Sequence, residues 1–132
     1  MKHETRTIKK LYDEIYEKIN KKYPIQKPKL RVVHYDAGSM GSCNYAKQKI
    51  TINSNYAKEF SSTIIHELCH WINHTRFNPK QKRKIPHNKQ FWLLCYEFGL
   101  TEKDYSYGLT TTMKTAKKEI ITHSSGDKMS DC

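Results

Sequence analysis

The run His66-Glu67-Leu68-Cys69-His70 constrains this chain more than any other feature. It lies within a stretch where Phe60, Ile64, Leu68, Trp71 and Ile72 recur at helical spacing. That period predicts a helix over about residues 56–73, capped by Ser54 or Asn55. Residues i and i+4 share one helix face, one turn apart, so the two imidazoles can converge on a single ion. Zinc takes neutral imidazole nitrogen at about 2.0–2.1 Å and keeps an open position when catalytic. Glu67 sits roughly 100° around the helix from His66, close enough to hydrogen-bond a metal-bound water without ligating the metal. The metal lowers the pKa of that water from about 15.7 towards 7, and the carboxylate takes its proton during attack on a peptide carbonyl. The chain holds 7 His among 132 residues. At its His and Glu frequencies, chance yields roughly 0.02 such motifs.

A catalytic zinc site uses three protein ligands. His87 is the best third candidate, because it opens the next helix and shares a face with Phe91 at i+4. Glu97, the acid of that helix, is the rival. His74 is i+4 from His70, but three histidines along one straight helix do not all reach one ion, so it is read as a neighbour of the site or as exposed. His34 and His123 fall in predicted strands and are weaker candidates, and His3 has no case. Trp71 and Trp92 read as core, and Cys69 as a buried thiol on the far side of the helix. The stabiliser of a developing oxyanion stays open among Tyr105, Tyr107 and His123.

Around this helix the chain alternates periods. Ile8, Leu11, Tyr12, Ile15 and Ile19 form one stripe of an amphipathic helix over about residues 4–22, which Pro24 and Pro28 end. Residues 30–35 (LRVVHY) read as a strand, 36–42 as a loop, and about 45–53 as a second strand with Ile50 and Ile52 on one face. A basic loop of about 75–85 leads to Pro86, where a helix with the stripe Phe91, Leu94, Cys95 and Phe98 begins, and Gly99 stops it. Residues 119–123 (EIITH) read as a short strand and 124–132 as a flexible tail.

The length suits one domain. No apolar run approaches the roughly 18 residues of a membrane span, and no apolar leader follows Met1, so the expectation is a cytoplasmic protein off the membrane. Cys43, Cys69, Cys95 and Cys132 include no C-x-x-C pair, which argues against a zinc ribbon and for free thiols. Lys plus Arg is 24 against 13 acids, a formal charge of +11. The surplus is uneven: residues 75–90 carry Arg76, Lys80, Lys82, Arg83, Lys84 and Lys89 with no acid at all. Such asymmetry points to a polyanion, nucleic acid above all, held through its phosphates without base reading. Solubility of a Lys-rich surface is the competing explanation.

The segment from Thr63 to Trp71 (TIIHELCHW), followed by His87-Asn88-Lys89-Gln90-Phe91-Trp92, resembles the SprT-like zinc metallopeptidase domain, whose pattern is H-E-x-x-H, a variable loop, then H-G-x-x-F-[W/C]. The strand ending Ile50-Thr51-Ile52-Asn53 resembles the one preceding the metal helix in that family, and the likeness covers about residues 30–98. The family includes the Spartan proteases, which degrade proteins crosslinked to DNA. The resemblance implies His66, His70 and His87 as ligands of one zinc ion per chain, Glu67 as general base, and a protein substrate near DNA. Asn88 stands where the family usually has Gly, and the Cys-rich ribbon many relatives carry has no counterpart here. A narrower likeness over residues 66–77 (HELCHWINHTRF) is to the metallopeptidase-like domain of antirestriction proteins, where the third ligand would be acidic.

The resulting expectation is an α+β, zincin-like single domain over residues 1–123, with its core at 30–98. It comprises an N-terminal helix, a three-stranded sheet, the metal helix and a second ligand-bearing helix. It is expected to act as a monomeric zinc metallopeptidase with non-specific DNA affinity. The alternative from another class is a nucleic-acid- or protein-binding module whose zinc is structural.

Overall fold

The computed structural model describes residues 2–36, 38, 40–55, 60–77 and 89–100. The chain divides into two compact units, residues 1–80 and 81–132. The first holds helix α1 (Lys2–Lys22), strands β1 (Lys29–Val33), β2 (Gly41–Asn44) and β3 (Lys49–Asn53), helix α2 (Phe60–Ile72) and a π-helical turn (Asn73–Phe77). The second holds helix α3 (Lys89–Glu97). This is a small α+β arrangement of three helices and a three-stranded sheet.

The amphipathic stripe of α1 does what its period requires. Ile8, Tyr12 and Ile19 are buried, with Leu11 and Ile15 half-buried beside them. Beyond Lys22 the prolines leave an extended segment with no ladder to satisfy its carbonyls, and side chains take over. Tyr12 donates to the Pro28 carbonyl and Tyr16 to that of Ile25 (2.6 Å), while Asn20 Oδ1 accepts the Ile25 N–H (2.9 Å). From α2 and the π turn, Trp71 Nε1 donates to Gln26 O and Arg76 Nη1 to Pro24 O, both at 2.8 Å. The segment is thus tied on both sides, as buried backbone groups demand.

The sheet order is β1-β3-β2, with β1 parallel and β2 antiparallel to β3. Central β3 buries Ile50 and Ile52 as its alternation predicts. Asn53 is buried too, because its Oδ1 accepts the backbone N–H groups of Tyr35 and Asn55 (3.2 Å each) where the chain leaves the sheet. Ser54 and Asn55 serve this same corner, bonding His34 and Tyr35, while the helix start they were expected to cap lies outside the described residues.

Residues 45–53 are not one strand: Tyr45–Gln48 is the turn of a hairpin, and its first strand, β2, begins inside the expected loop of 36–42 and ends at Asn44. Asn44 causes this, since its Oδ1 accepts the Lys47 N–H (3.0 Å) and turns the chain, and Gln48 closes the turn at φ 52°. The third strand is therefore β2; the 119–123 strand and the 124–132 tail lie outside the described residues. Likewise β1 stops at Val33, leaving His34 beyond it.

Helix α2 packs against β2, β3 and α1, and α1 also reaches β1. Ile64, Leu68, Cys69, Trp71 and Ile72 are buried. At about 1.5–3 kcal/mol for each large apolar side chain, this face anchors the helix far more strongly than its propensity does. In the second unit α3 buries Phe91, Trp92, Leu94 and Cys95. It ends where Gly99 (φ 92°) lets Leu100 N–H return to the Cys95 carbonyl (2.9 Å). Cys43, Cys69 and Cys95 are free thiols. No helix among the described residues is long and apolar enough to cross a membrane.

Candidate metal centre

Helix α2 presents His66 and Glu67 in its middle and His70 in its last turn, and the π-helical turn Asn73–Phe77 follows directly. His70 and Glu67 are buried, at 8% and 6% exposure, and His66 is half-buried. The two imidazoles meet edge to face with ring centroids 4.9 Å apart and planes at 76°. Two imidazoles ligating one tetrahedral ion at about 2.0–2.1 Å hold their ring centres roughly 5 Å apart. The pair therefore fits a shared zinc ion. Among the described residues no third His, Cys, Asp or Glu joins them in a cluster able to hold an ion.

Glu67 faces β2. A β-carbon built on Gly41 would stand 3.1 Å from Glu67 Oε2, 3.0 Å from Thr63 Cγ2 and 3.1 Å from the Thr51 carbonyl. Any side chain at position 41 would push the strand off the helix, so glycine lets backbone close over the carboxyl. Burial, which disfavours the charged form, pushes the Glu67 carboxyl up to about 8. A cation beside it would offset that cost, which is a second sense in which the residues fit a metal.

Position 43 follows Gly41 on the same strand face, and Tyr45 stands just past the strand's end. Burial, then the nearby Glu67 charge, raises the Cys43 thiol far above its usual range. Tyr45 is pushed up to about 12 by burial, followed by Cys43 and Glu67. Both are therefore neutral at physiological pH. None of Gly41, Cys43 or Tyr45 was singled out from the sequence. The available signal was period-two alternation, Gly41, Cys43 and Tyr45 against Ser42 and Asn44, hidden by reading the glycines as loop.

The remaining candidates separate clearly. His34 is committed elsewhere: Nδ1 bonds Ser54 Oγ and Nε2 bonds Thr5 Oγ1 (3.3 Å). His74 lies in the π turn, half-buried and stacked on Tyr45 with centroids 4.2 Å apart. Glu97 is exposed on α3. His87, His123, Tyr105 and Tyr107 lie outside the described residues. So do Lys80, Lys82, Arg83 and Lys84 of the basic run. Its two described members are Lys89, exposed at the start of α3, and Arg76, exposed but bonded to Pro24 O.

Two facing imidazoles and a buried carboxyl on one helix, the carboxyl covered by an edge strand, thus lie within a small α+β set of elements. A model of the SprT-like family matches residues 8–115, most of the chain. The chain belongs to the SprT-like family. No curated protein and no solved structure matches it.

Proposed function

We propose that the chain is a zinc metallopeptidase in which His66, His70 and His87 hold one zinc ion and Glu67 is the general base, with residues 1–123 acting as one zincin-like domain. The observation that carries this reading is the 4.9 Å imidazole pair on α2, with the buried carboxyl of Glu67 on the same helix. Membership of the SprT-like family supports a metallopeptidase-like role. When bound, zinc polarises the scissile carbonyl and makes a water molecule acidic near neutral pH.

The chain's own part is proton transfer. Glu67 takes a proton from the attacking water as the oxygen–carbon bond forms, then delivers it to the leaving nitrogen as the carbon–nitrogen bond breaks. Burial suits it to this work, since a poorly solvated carboxylate is a stronger base than an exposed one. The close approach of Gly41 keeps bulk water from that side of Glu67. The positive surplus, including Arg76, Lys80, Lys82, Arg83, Lys84 and Lys89, provides phosphate contacts that hold the enzyme near a DNA-associated protein substrate.

The test compares wild type with Glu67→Gln on a DNA-bound protein, with and without single-stranded DNA, measuring zinc in both. Gln keeps the size and removes the base, so the variant should retain fold and zinc and lose about 10²–10⁴-fold in turnover. Cleavage surviving in Glu67→Gln overturns the mechanism. A zinc-loaded wild type inert on every substrate tried favours the binding module with a structural zinc.

A further inference from the structure

The unit of residues 1–80 holds a cavity of about 660 Å³ beside the C-terminal end of α2. Its walls are the extended segment around Gln26, the β2–β3 turn and the π turn. The volume is in the range of small-molecule sites, and no carboxylate among the described residues lines it.

The lining combines three chemistries. The rings of Tyr45 and His74 lie 9° from parallel, a preformed stack at the cavity wall. The amides of Gln26 and Gln48, joined Nε2 to Oε1 at 3.1 Å, present donors and acceptors together. Arg76 uses Nη1 on the Pro24 carbonyl, which fixes the guanidinium in place, and it has further N–H donors to offer an anion. Exposed Lys47, the chain neighbour of Gln48, adds positive charge at the turn.

An apolar ligand would waste the amides and the guanidinium. A simple anion would waste the stacked rings. A planar heterocycle with a polar edge and an attached phosphate uses all three. We propose that this cavity binds one unstacked nucleotide, its base against the Tyr45–His74 stack and the two glutamines, and its phosphate at Arg76. Bases in a duplex are already stacked and paired, so the site selects a single strand or a free nucleotide. This refines the polyanion part of the proposed function, replacing phosphate contacts alone with recognition of a base, and it does not depend on the metal centre.

Fluorescence anisotropy on the full chain tests it with four probes: a short labelled single strand, the same strand with abasic sites, its duplex, and a nucleoside monophosphate as competitor. The normal strand should bind roughly 5- to 150-fold more tightly than the abasic strand, the range that stacking of one base gives. Gln48→Gly keeps the left-handed backbone at that position and removes the amide; Arg76→Lys keeps the charge and removes the planar fork. Each should reduce the preference for the normal strand, and Tyr45→Leu should abolish it. Because Tyr45→Leu also disturbs packing, the His74 ring signals in wild-type NMR provide an independent reading and should move when nucleotide is added. Displacement of the strand by the monophosphate makes the free nucleotide a ligand as well. A monophosphate that fails to displace it, with the base preference intact, makes the single strand the ligand. Equal binding of normal and abasic strands, or unmoved His74 signals, overturns the proposal and leaves phosphate binding standing. Binding of neither strand nor duplex overturns both.

Discussion

Gly41 lies so close to Glu67 that a methyl group added to it would stand 3.1 Å from the carboxylate oxygen. The contact ties the edge strand of the sheet to the middle of α2. Gly41→Ala also meets Thr63 Cγ2 at 3.0 Å and the Thr51 carbonyl at 3.1 Å, and a carbonyl in a sheet cannot step aside. Overpacking of this kind costs about 1–3 kcal/mol. The variant should show a lower midpoint in urea with an unchanged slope, and the proposed peptidase activity should fall further than the stability loss accounts for, because β2 moves relative to Glu67. A midpoint equal to wild type would mean that the strand relaxes freely at this point.

Burial raises the Glu67 carboxyl to about 8, well above its unfolded value of 4.5. The folded state therefore binds this proton more tightly than the unfolded state does. Its stabilising contribution is complete below pH 4.5 and is lost as pH rises from there through about 8. In the metal-free protein the stability of wild type relative to Glu67→Gln should decline by a few kcal/mol across that window and stay flat above it. Urea melts of both proteins at several pH values, with a chelator present, give the difference directly. A difference that does not change with pH would place the carboxyl in a more solvated setting.

Long-period features of the fold were legible in the sequence, and short-range geometry was not. The stripe from Ile8 to Ile19 and the one from Ile64 to Ile72 mark α1 and α2 because several residues repeat the same period and each burial reinforces the next. Strand β2 offered four residues, one a glycine, and its pairing is decided by the Asn44 side chain turning the chain at Lys47, a hydrogen bond no period reports. The His66–His70 pair was legible because i, i+4 spacing translates directly into helix geometry. The neighbours of Glu67 were not. Gly41, Cys43 and Tyr45 reach it through β2–α2 packing, which sequence separation conceals. His34 shows the opposite error: its position beside a strand admitted it as a ligand candidate, and Ser54 and Thr5 claim both its ring nitrogens.

The segment between α1 and β1 depends on donors from α2 and the π turn. Trp71→Phe keeps the ring buried and deletes one donor, leaving the Gln26 carbonyl without the indole N–H now 2.8 Å away. A net loss of about 0.5–1.5 kcal/mol is expected. Arg76→Ala removes the bond to Pro24 O and a guanidinium 6.0 Å from the Tyr23 ring centre, at an exposed position, and should cost less. Hydrogen exchange of the Ile25 and Lys27 amides should speed up in Trp71→Phe before global stability changes much. Unchanged exchange there would show that Tyr12, Tyr16 and Asn20 hold the segment from the α1 side alone.

The third ligand can be settled by zinc content and by stability together. Three protein ligands are needed for a catalytic zinc site, and in the proposed site α2 supplies two. His87 and Glu97 are the candidates beyond it, and they differ chemically: an imidazole binds as a neutral donor, whereas a carboxylate would cancel one charge of the ion. Removing a true ligand leaves two, so His87→Ala should lose zinc to a weak chelator that wild type resists, while exposed Glu97→Ala should retain about one zinc per chain. Stability gives a second reading, because an ion that binds only the folded chain raises its stability by about 2.7 kcal/mol at a hundred times its Kd. Wild type and Glu97→Ala should therefore melt higher when zinc is added, and His87→Ala should not respond. Equal zinc content and an equal thermal response in His87→Ala and wild type would remove His87 from the site. Loss of both in Glu97→Ala would transfer the role to the carboxylate.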